Sequence, residues 1–386
     1  NKVKENQLPK NFESLADARK QGFLHIKALK DAGKNVVGTF CTYTPAEVIM
    51  ATGAVCVGIC SFSDETIPEA ERVLPRNLCP LIKSSYGFAL TEKCPYMYFS
   101  DLLVGETTCD GKKKMYELLG ELKDTHVLQL PQTQTDEVSK EMWYKEVLRL
   151  KDRLEEKFGV VITDEDIKAA IKLKNEERIV LKELYELSKA CPPPISGAEQ
   201  LKVLYGSQFK FDYNVKLHEL RDTVAKIKQD YEKGERPVSE SAKRILITGC
   251  PLAGATEKVV TAIEESGGVV VAYENCIGAK TVERLVDENE EPYKAIADRY
   301  LQIGCSVMTP DTKRYELLTR LIDEFQVDGV VEMTLQACHT YAVETQSIRR
   351  LVQDRDVPFI SVETDYSAAD SAQLKNRLAA FIEMMA

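Results

Sequence analysis

Short apolar runs alternate with amphipathic ones over most of the chain. The runs at 35–40 (NVVGTF), 54–60 (AVCVGIC), 102–106 (LLVGE) and 126–132 (HVLQLPQ) are each continuous and rich in Val, Leu and Ile. Runs of that length with no polar alternation predict strands covered on both faces. Between and before them lie segments with helical spacing. ESLADARKQGFLHIKALKDA (13–32) is followed by Gly33 as a stop, PAEVIMATG is opened by Pro45 and closed by Gly53, and KKKMYELLGEL follows Cys109. The same alternation resumes at Lys243: RILITGC, then ATEKVVTAIEESGG, then VVVAYENC, GVVEMTLQAC and VPFISVETD, with a last helix after it. Strand and helix in alternation predict an α/β protein with parallel sheets. Two such stretches predict two doubly wound lobes of flavodoxin- or Rossmann-like type.

Residues 133–242 differ. They are rich in Glu, Lys and Leu at helical spacing, and Thr163 with Asp166 three residues on predicts a capped helix start, the helix running to about Lys189. Cys191 and three prolines end it, and Gly206 and Gly234 break the helical runs that follow. The expected organisation is therefore an N-terminal helical arm (1–34), an N-terminal α/β lobe (35–132), a helical insertion (133–242) and a C-terminal α/β lobe (243–386).

Cysteines change the picture. The chain has eleven of them, four histidines and no CxxC pair. The missing close pairs argue against the common structural zinc sites. In a reducing compartment, cysteines beyond core filling point to metal or redox work. Several stand where a predicted strand ends: Cys41, Cys109, Cys276 and Cys338, with Cys79 and Cys305 in intervening loops. Ligands in open α/β sheets sit beyond the carboxyl ends of strands, and thiolates suit iron–sulfur clusters. These six are the candidate metal ligands. Cys94 and Cys250 are reserves, Cys56 and Cys60 alternate within an apolar run and read as core filler, and Cys191 reads as linker. The lobes also align loosely as a repeat: NVVGTFC with RILITGC, Cys79 with Cys305, LLVGETTC with GVVEMTLQAC. Two lobes face to face would then direct several cysteine loops into one cleft. Glu332 and His339 flank Cys338 and are candidates for supporting it or delivering protons; the plainer reading has Glu332 capping a helix or bonding backbone and His339 packed under a loop. GCPLAGATEK (249–258) is spaced like a phosphate loop, but Ala255 stands where the lysine is required, so ATP hydrolysis is expected elsewhere.

The net charge of −10 argues against nucleic acid or an anionic membrane as the main partner. No apolar run approaches the roughly 18 residues of a membrane span, and the first residues have no secretory apolar core, so a cytoplasmic location is expected.

The segments GTFCTYTPAEVIMATG, LCPLIKSSYG, DLLVGETTCDGKKKMYELL and VDGVVEMTLQACHTYAVET, with VPFISVETDY and RLAAFIEMM, resemble the 2-hydroxyacyl-CoA dehydratase and benzoyl-CoA reductase family over nearly the whole chain. The resemblance implies α/β lobes, a helical part, and an oxygen-sensitive iron–sulfur cluster on cysteines in an anaerobic setting. It also implies single low-potential electrons from a separate ATP-hydrolysing iron–sulfur reductase. ENC, IGCSVMTP and LQACHTY look most like the double-cubane branch. Its homodimers carry an eight-iron, nine-sulfur cluster, with three cysteines for each cubane. That branch implies an oxidoreductase acting on small molecules. The alternative within the family is a 2-hydroxyacyl-CoA dehydratase subunit with a single four-iron, four-sulfur cubane. A non-enzymatic electron carrier is the third reading.

Overall fold

The computed structural model describes residues 13–251 and 253–385; residues 1–12 of the expected N-terminal arm lie outside the described residues. The first lobe contains four parallel strands, β1 (Val36–Thr39), β2 (Val55–Gly58), β3 (Leu102–Glu106) and β4 (Thr125–Leu128), in the order β2-β1-β3-β4. The second contains β5 (Lys243–Gly249), β6 (Gly268–Tyr273), β7 (Gly329–Leu335) and β8 (Phe359–Thr364), parallel and in the matching order β6-β5-β7-β8. β3, β6 and β7 are buried along their whole length. That burial is why they read as unbroken apolar runs, since helices cover both faces of a parallel sheet. In each lobe the second strand lies on one side of the first and the third on the other. The switch points therefore fall between β1 and β3 and between β5 and β7, and such a switch leaves a crevice at the strands' carboxyl ends.

The expected strands are shorter in the structure. β2, for example, ends at Gly58, although the next residue of its apolar run, Ile59, still donates its N–H to the Thr39 carbonyl at 3.0 Å. The 133–242 segment forms helices Glu137–Phe158, Asp164–Glu186, Gly197–Gly206 and Tyr213–Glu232. The predicted start at Thr163 is a full capping box: its hydroxyl accepts from the Asp166 N–H, and the Asp166 carboxylate accepts from the Thr163 N–H at 2.9 Å. The helix ends at Glu186, and a tighter turn covers Leu187–Lys189. These helices pack on both lobes. Glu137–Phe158 lies along helix Pro292–Leu301 of the second lobe and over β4 of the first, and Gly197–Gly206 rests on β6.

The lobes touch beside the strand ends. The Tyr43 hydroxyl donates to the Ile303 carbonyl at 2.6 Å, and the Gln134 amide donates to the carbonyls of Leu301 and Ile303 at 2.6 and 2.7 Å. Glu47 of the first lobe forms a buried ion pair with Arg178 at 2.6 Å and accepts from the Tyr300 hydroxyl at 2.8 Å. These bonds hold the loop after β1 against the loop that carries Cys305. Among the described residues no helix is long and apolar enough to cross a membrane.

Within the second lobe one side chain ties the loops together. Arg314, from helix Thr312–Glu324, is fully buried. It donates to the Thr248 hydroxyl at 2.8 Å on β5. Glu274 just after β6 lies 3.5 Å away, Glu332 on β7 lies 3.6 Å away, and Glu344 on helix His339–Gln353 pairs with it. Its guanidinium also lies over the Tyr341 ring at 4.9 Å. Thr248 in turn donates to Glu274 at 2.6 Å. β5 then closes in Gly249 at φ +112°, where a Cβ would collide with the Met333 carbonyl. Only glycine permits both that dihedral and that approach.

Gly249→Ala is expected to lower unfolding stability by roughly 1–3 kcal/mol in a denaturant titration, the range for a residue forced into a left-handed backbone with a steric conflict. Arg314→Met leaves buried carboxylates without their cation and should cost about 3–5 kcal/mol in the same measurement.

Candidate functional site

Six strands deliver a cysteine within three residues of their carboxyl ends: Cys41 after β1, Cys60 after β2, Cys109 after β3, Cys250 after β5, Cys276 after β6 and Cys338 after β7. Cys79 and Cys305 lie in the connections from β2 to β3 and from β6 to β7. The lobes thus match at four positions: 41 with 250, 60 with 276, 79 with 305 and 109 with 338. All eleven cysteines are free thiols.

Helix termini bring positive potential to several of these. Cys79, Cys109 and Cys338 are the N-caps of helices Pro80–Leu90, Asp110–Leu122 and His339–Gln353, so each sulfur sits at the positive end of a helix dipole. The backbone N–H groups of Leu81 and Ile82 turn toward Cys79, and that of Tyr341 toward Cys338. Backbone strain gathers in the second lobe: Ala253, Ile277 and Ala337, all at positive φ, stand within three residues of Cys250, Cys276 and Cys338. A β-branched residue such as Ile277 at φ +76° is a marked outlier, and such residues concentrate where the surroundings fix a functional loop.

The sulfurs fall into two groups. Cys338 is hydrogen-bonded by the thiols of Cys250 and Cys79, which draws its own thiol well below the usual range and pushes theirs up. The Leu335 N–H donates to the Cys250 sulfur at 3.1 Å. The second group is Cys41, Cys276 and Cys305. Burial raises the Cys41 thiol, and the charges of Cys276 and Cys305 add to that rise. Burial raises the Cys305 thiol, and the charge of Cys276 adds to that rise. Cys60 lies between the groups: its electrostatic neighbours include Cys276, and the buried Tyr366 feels Cys60 together with Cys79, Cys250 and Cys338. Cys109 acts on Lys112 alongside Cys41 and Cys60. Among the described residues no three His, Cys, Asp or Glu side chains close around a single-ion point.

Of the six predicted ligands, Cys41, Cys276 and Cys305 thus gather in one group and Cys79 and Cys338 in the other, where the third thiol is Cys250. Cys109 stands at its helix cap beside Lys112. Cys60, read from its alternation as filler, packs against the core and also lines the cavity described below, as Cys56 does. Cys56 remains within β2, opposite Val37. Cys94 caps the short helix Pro95–Phe99, and Cys191 is exposed. Glu332 lies in the interior of β7 facing Arg314, and burial raises its carboxyl. His339 is the exposed first residue of its helix.

Two buried lysines complement the sulfurs. Lys112 is 8% exposed, donates to the Phe40 carbonyl at 3.1 Å, and has no carboxylate at ion-pair distance among the described residues. Burial works against its charge, but Cys60, Tyr116, Cys41 and Cys109 more than offset that and hold the ammonium well above the usual lysine range. Lys280 pairs with Glu274 at 3.1 Å and is raised further by Cys276 and Cys305. Glu106, at the carboxyl end of β3, is absent from the candidates that the sequence pattern marks. Burial pushes its carboxyl up to about 8, it bonds the Thr44 hydroxyl, and it borders Cys41 and Cys60. Its signal is nonetheless legible: a glutamate ending an apolar strand three residues before a cysteine.

A cavity of about 580 Å³ opens beside this centre. It reaches from exposed Lys34 and Asp212 to Cys41, Cys60 and Cys276, and Lys112 lies in its wall. Its size is that of an ordinary small-molecule pocket.

Comparison with known proteins agrees with this architecture. The profile of the family described as 2-hydroxyglutaryl-CoA dehydratase, D-component, matches residues 41–385. The candidate dehydratase subunit YjiM of Escherichia coli strain K12 is 54% identical over 379 residues, 98% of each chain. The (R)-phenyllactyl-CoA dehydratase beta subunit of Clostridium sporogenes is 22% identical over 93% of this chain and 94% of its own. A benzoyl-CoA reductase subunit of Thauera aromatica is 21% identical over 92% of this chain and 91% of its own. With a profile match across most of its length and a relative sharing over half its residues, the chain belongs to the 2-hydroxyacyl-CoA dehydratase and benzoyl-CoA reductase family.

Proposed function

We propose that this protein is the cluster-bearing component of an ATP-dependent, low-potential reductase of small molecules, working as a homodimer that receives electrons from a separate ATP-hydrolysing iron–sulfur reductase. The proposed cofactor is a double-cubane, eight-iron, nine-sulfur cluster. The observation that carries this reading is the grouping of thiols from both lobes into two sets of three, Cys41 with Cys276 and Cys305, and Cys79 with Cys250 and Cys338. The donor chemistry fits, because soft thiolates select iron–sulfur clusters. When bound, such a cluster supplies low-potential electrons one at a time.

The chain's own residues have distinct parts. The helix N-termini at Cys79 and Cys338 stabilise sulfur as thiolate. Lys112 and Lys280 offset the negative charge that accumulates on several thiolates in a buried site. Glu106, protonated near neutrality, holds a proton at its carboxyl beside Cys41 and Cys60. Glu332 is assigned to holding Arg314, and the exposed His339 to the surface. The cavity gives the substrate a way from solvent to Cys41, Cys60 and Cys276.

A second reading is a 2-hydroxyacyl-CoA dehydratase subunit with one four-iron cubane. One observation favours it: Cys79 and Cys250 each hydrogen-bond Cys338, whereas Cys41, Cys276 and Cys305 interact only through their charges.

Anaerobically purified protein is expected to contain about eight irons per chain, and the combined change of Cys41, Cys276 and Cys305 to Ser should leave about four. About four in the unaltered protein would favour the dehydratase reading, and a colourless, iron-free protein would end both. Lys112→Gln removes a cation beside the thiols and should make the midpoint potential more negative by roughly 60 mV, a tenfold change for one electron. Lys174→Gln, whose ion-pair partner is Glu177, should leave that potential unchanged in the same titration.

A further inference from the structure

The cavity beside the thiols is strongly basic. Among the described residues its lining has seven lysines and arginines against two acids, Glu177 and Asp212, in a chain whose net charge is −10. A concave surface of one sign with low-dielectric walls concentrates ligands of the other. Lys34 is exposed and Lys210 pairs with Glu219; the other five cations form two sets with different neighbours. Lys112 answers to Cys41, Cys60 and Cys109. Lys174, Arg178, Lys216 and Arg299 answer to none of the proposed ligands.

The second set is not balanced within the protein. Lys174 and Lys216 share one carboxylate, Glu177, which Lys216 reaches at 2.8 Å. Arg178 pairs with Glu47, while Arg299, 6% exposed, has no carboxylate at ion-pair distance among the described residues and donates only to the carbonyls of Thr281 and Arg284. Burial and the like charge of Arg178 pull its guanidinium down to about 10, so it stays charged at neutral pH. Four cations therefore face two anions, and a buried cation without a counter-ion is costly unless a ligand supplies one. Lys174 and Arg178 stand one turn apart on helix Asp164–Glu186 and both reach the cavity wall.

One side of the lining is apolar. Phe209, Phe211, Tyr205 and Leu181 belong to it, and 580 Å³ is far more than a bare inorganic anion needs. We infer that this cavity is the binding site of a small organic carboxylate, its head held among Arg299, Lys174 and Lys216 and its apolar body against the Phe209–Phe211 side. As a statement about substrate the inference rests on the reductase reading; as a statement about binding it rests on the cavity alone.

Calorimetric titration of the full-length protein with hexanoate, hexanamide and inorganic phosphate tests it. One hexanoate should bind per chain, at least tenfold more tightly than hexanamide or phosphate. Arg299→Gln and Lys174→Gln should each weaken hexanoate at least tenfold. Lys174 is partly exposed, so its variant serves if the Arg299 change prevents folding. Equal affinity for hexanoate and hexanamide, phosphate bound as tightly as hexanoate, or a folded Lys174→Gln variant with unaltered affinity would each overturn the proposal. Running the titration on iron-free as well as iron-loaded protein separates the two claims. Tight hexanoate binding by a protein that never carries iron removes the reductase reading and leaves the carboxylate site standing.

Discussion

A single buried guanidinium sets the geometry of the second lobe. Arg314 has no access to water, so its charge must be met from within, and Thr248, Glu274, Glu332 and Glu344 meet it. Those partners lie on β5, after β6, on β7 and on the helix that Cys338 caps. Cys250, Cys276 and Cys338 each follow one of these anchors closely in sequence, and Cys305 lies nine residues before Arg314 itself. The cost of leaving any of these groups unpaired in a low-dielectric interior keeps four loops in register. The first lobe is held by a comparable buried set, Glu47 with Arg178 and Tyr300, which also joins it to the second lobe and to the long helix between them.

Positive charge in this acidic chain is therefore placed with purpose. One portion stands against sulfur, where Lys112 and Lys280 offset thiolate charge. Another lines the way in from solvent, where Arg299 and the lysines around Glu177 exceed their internal partners. Burial removes the solvent screening that would weaken such charges at a surface, so a few residues outweigh a net charge of −10 spread over the exterior.

Much of this was legible in the chain. The apolar runs gave both sheets, and the pairing of Cys41 with Cys250, Cys79 with Cys305 and Cys109 with Cys338 agrees with the topology, because parallel strands in matched order must put matched loops at the same edge. Thr163 and Asp166 announced their cap through local chemistry alone. What escaped depended on contacts distant in sequence. Cys60 reads as filler because its run is apolar to the end, and only the fold shows that the same side chain also borders the cavity. Cys250 ranked low because nothing local shows that Gly249 swings it toward Cys338. Arg314 gave no signal, since its partners stand up to 66 residues away and only the fold brings them together. Lys174, Lys216 and Arg299 looked like ordinary charges on solvated helices.

The matched lobes bear on how such a molecule could arise. Each half contributes four cysteines at one sheet edge, and both groups of sulfurs draw members from both halves: Cys41 sits with Cys276 and Cys305, and Cys79 with Cys250 and Cys338. Neither half alone could assemble a complete set. A chain of half this length with one such sheet would need a second copy of itself to form either group, whereas here each lobe carries its neighbour on the same chain.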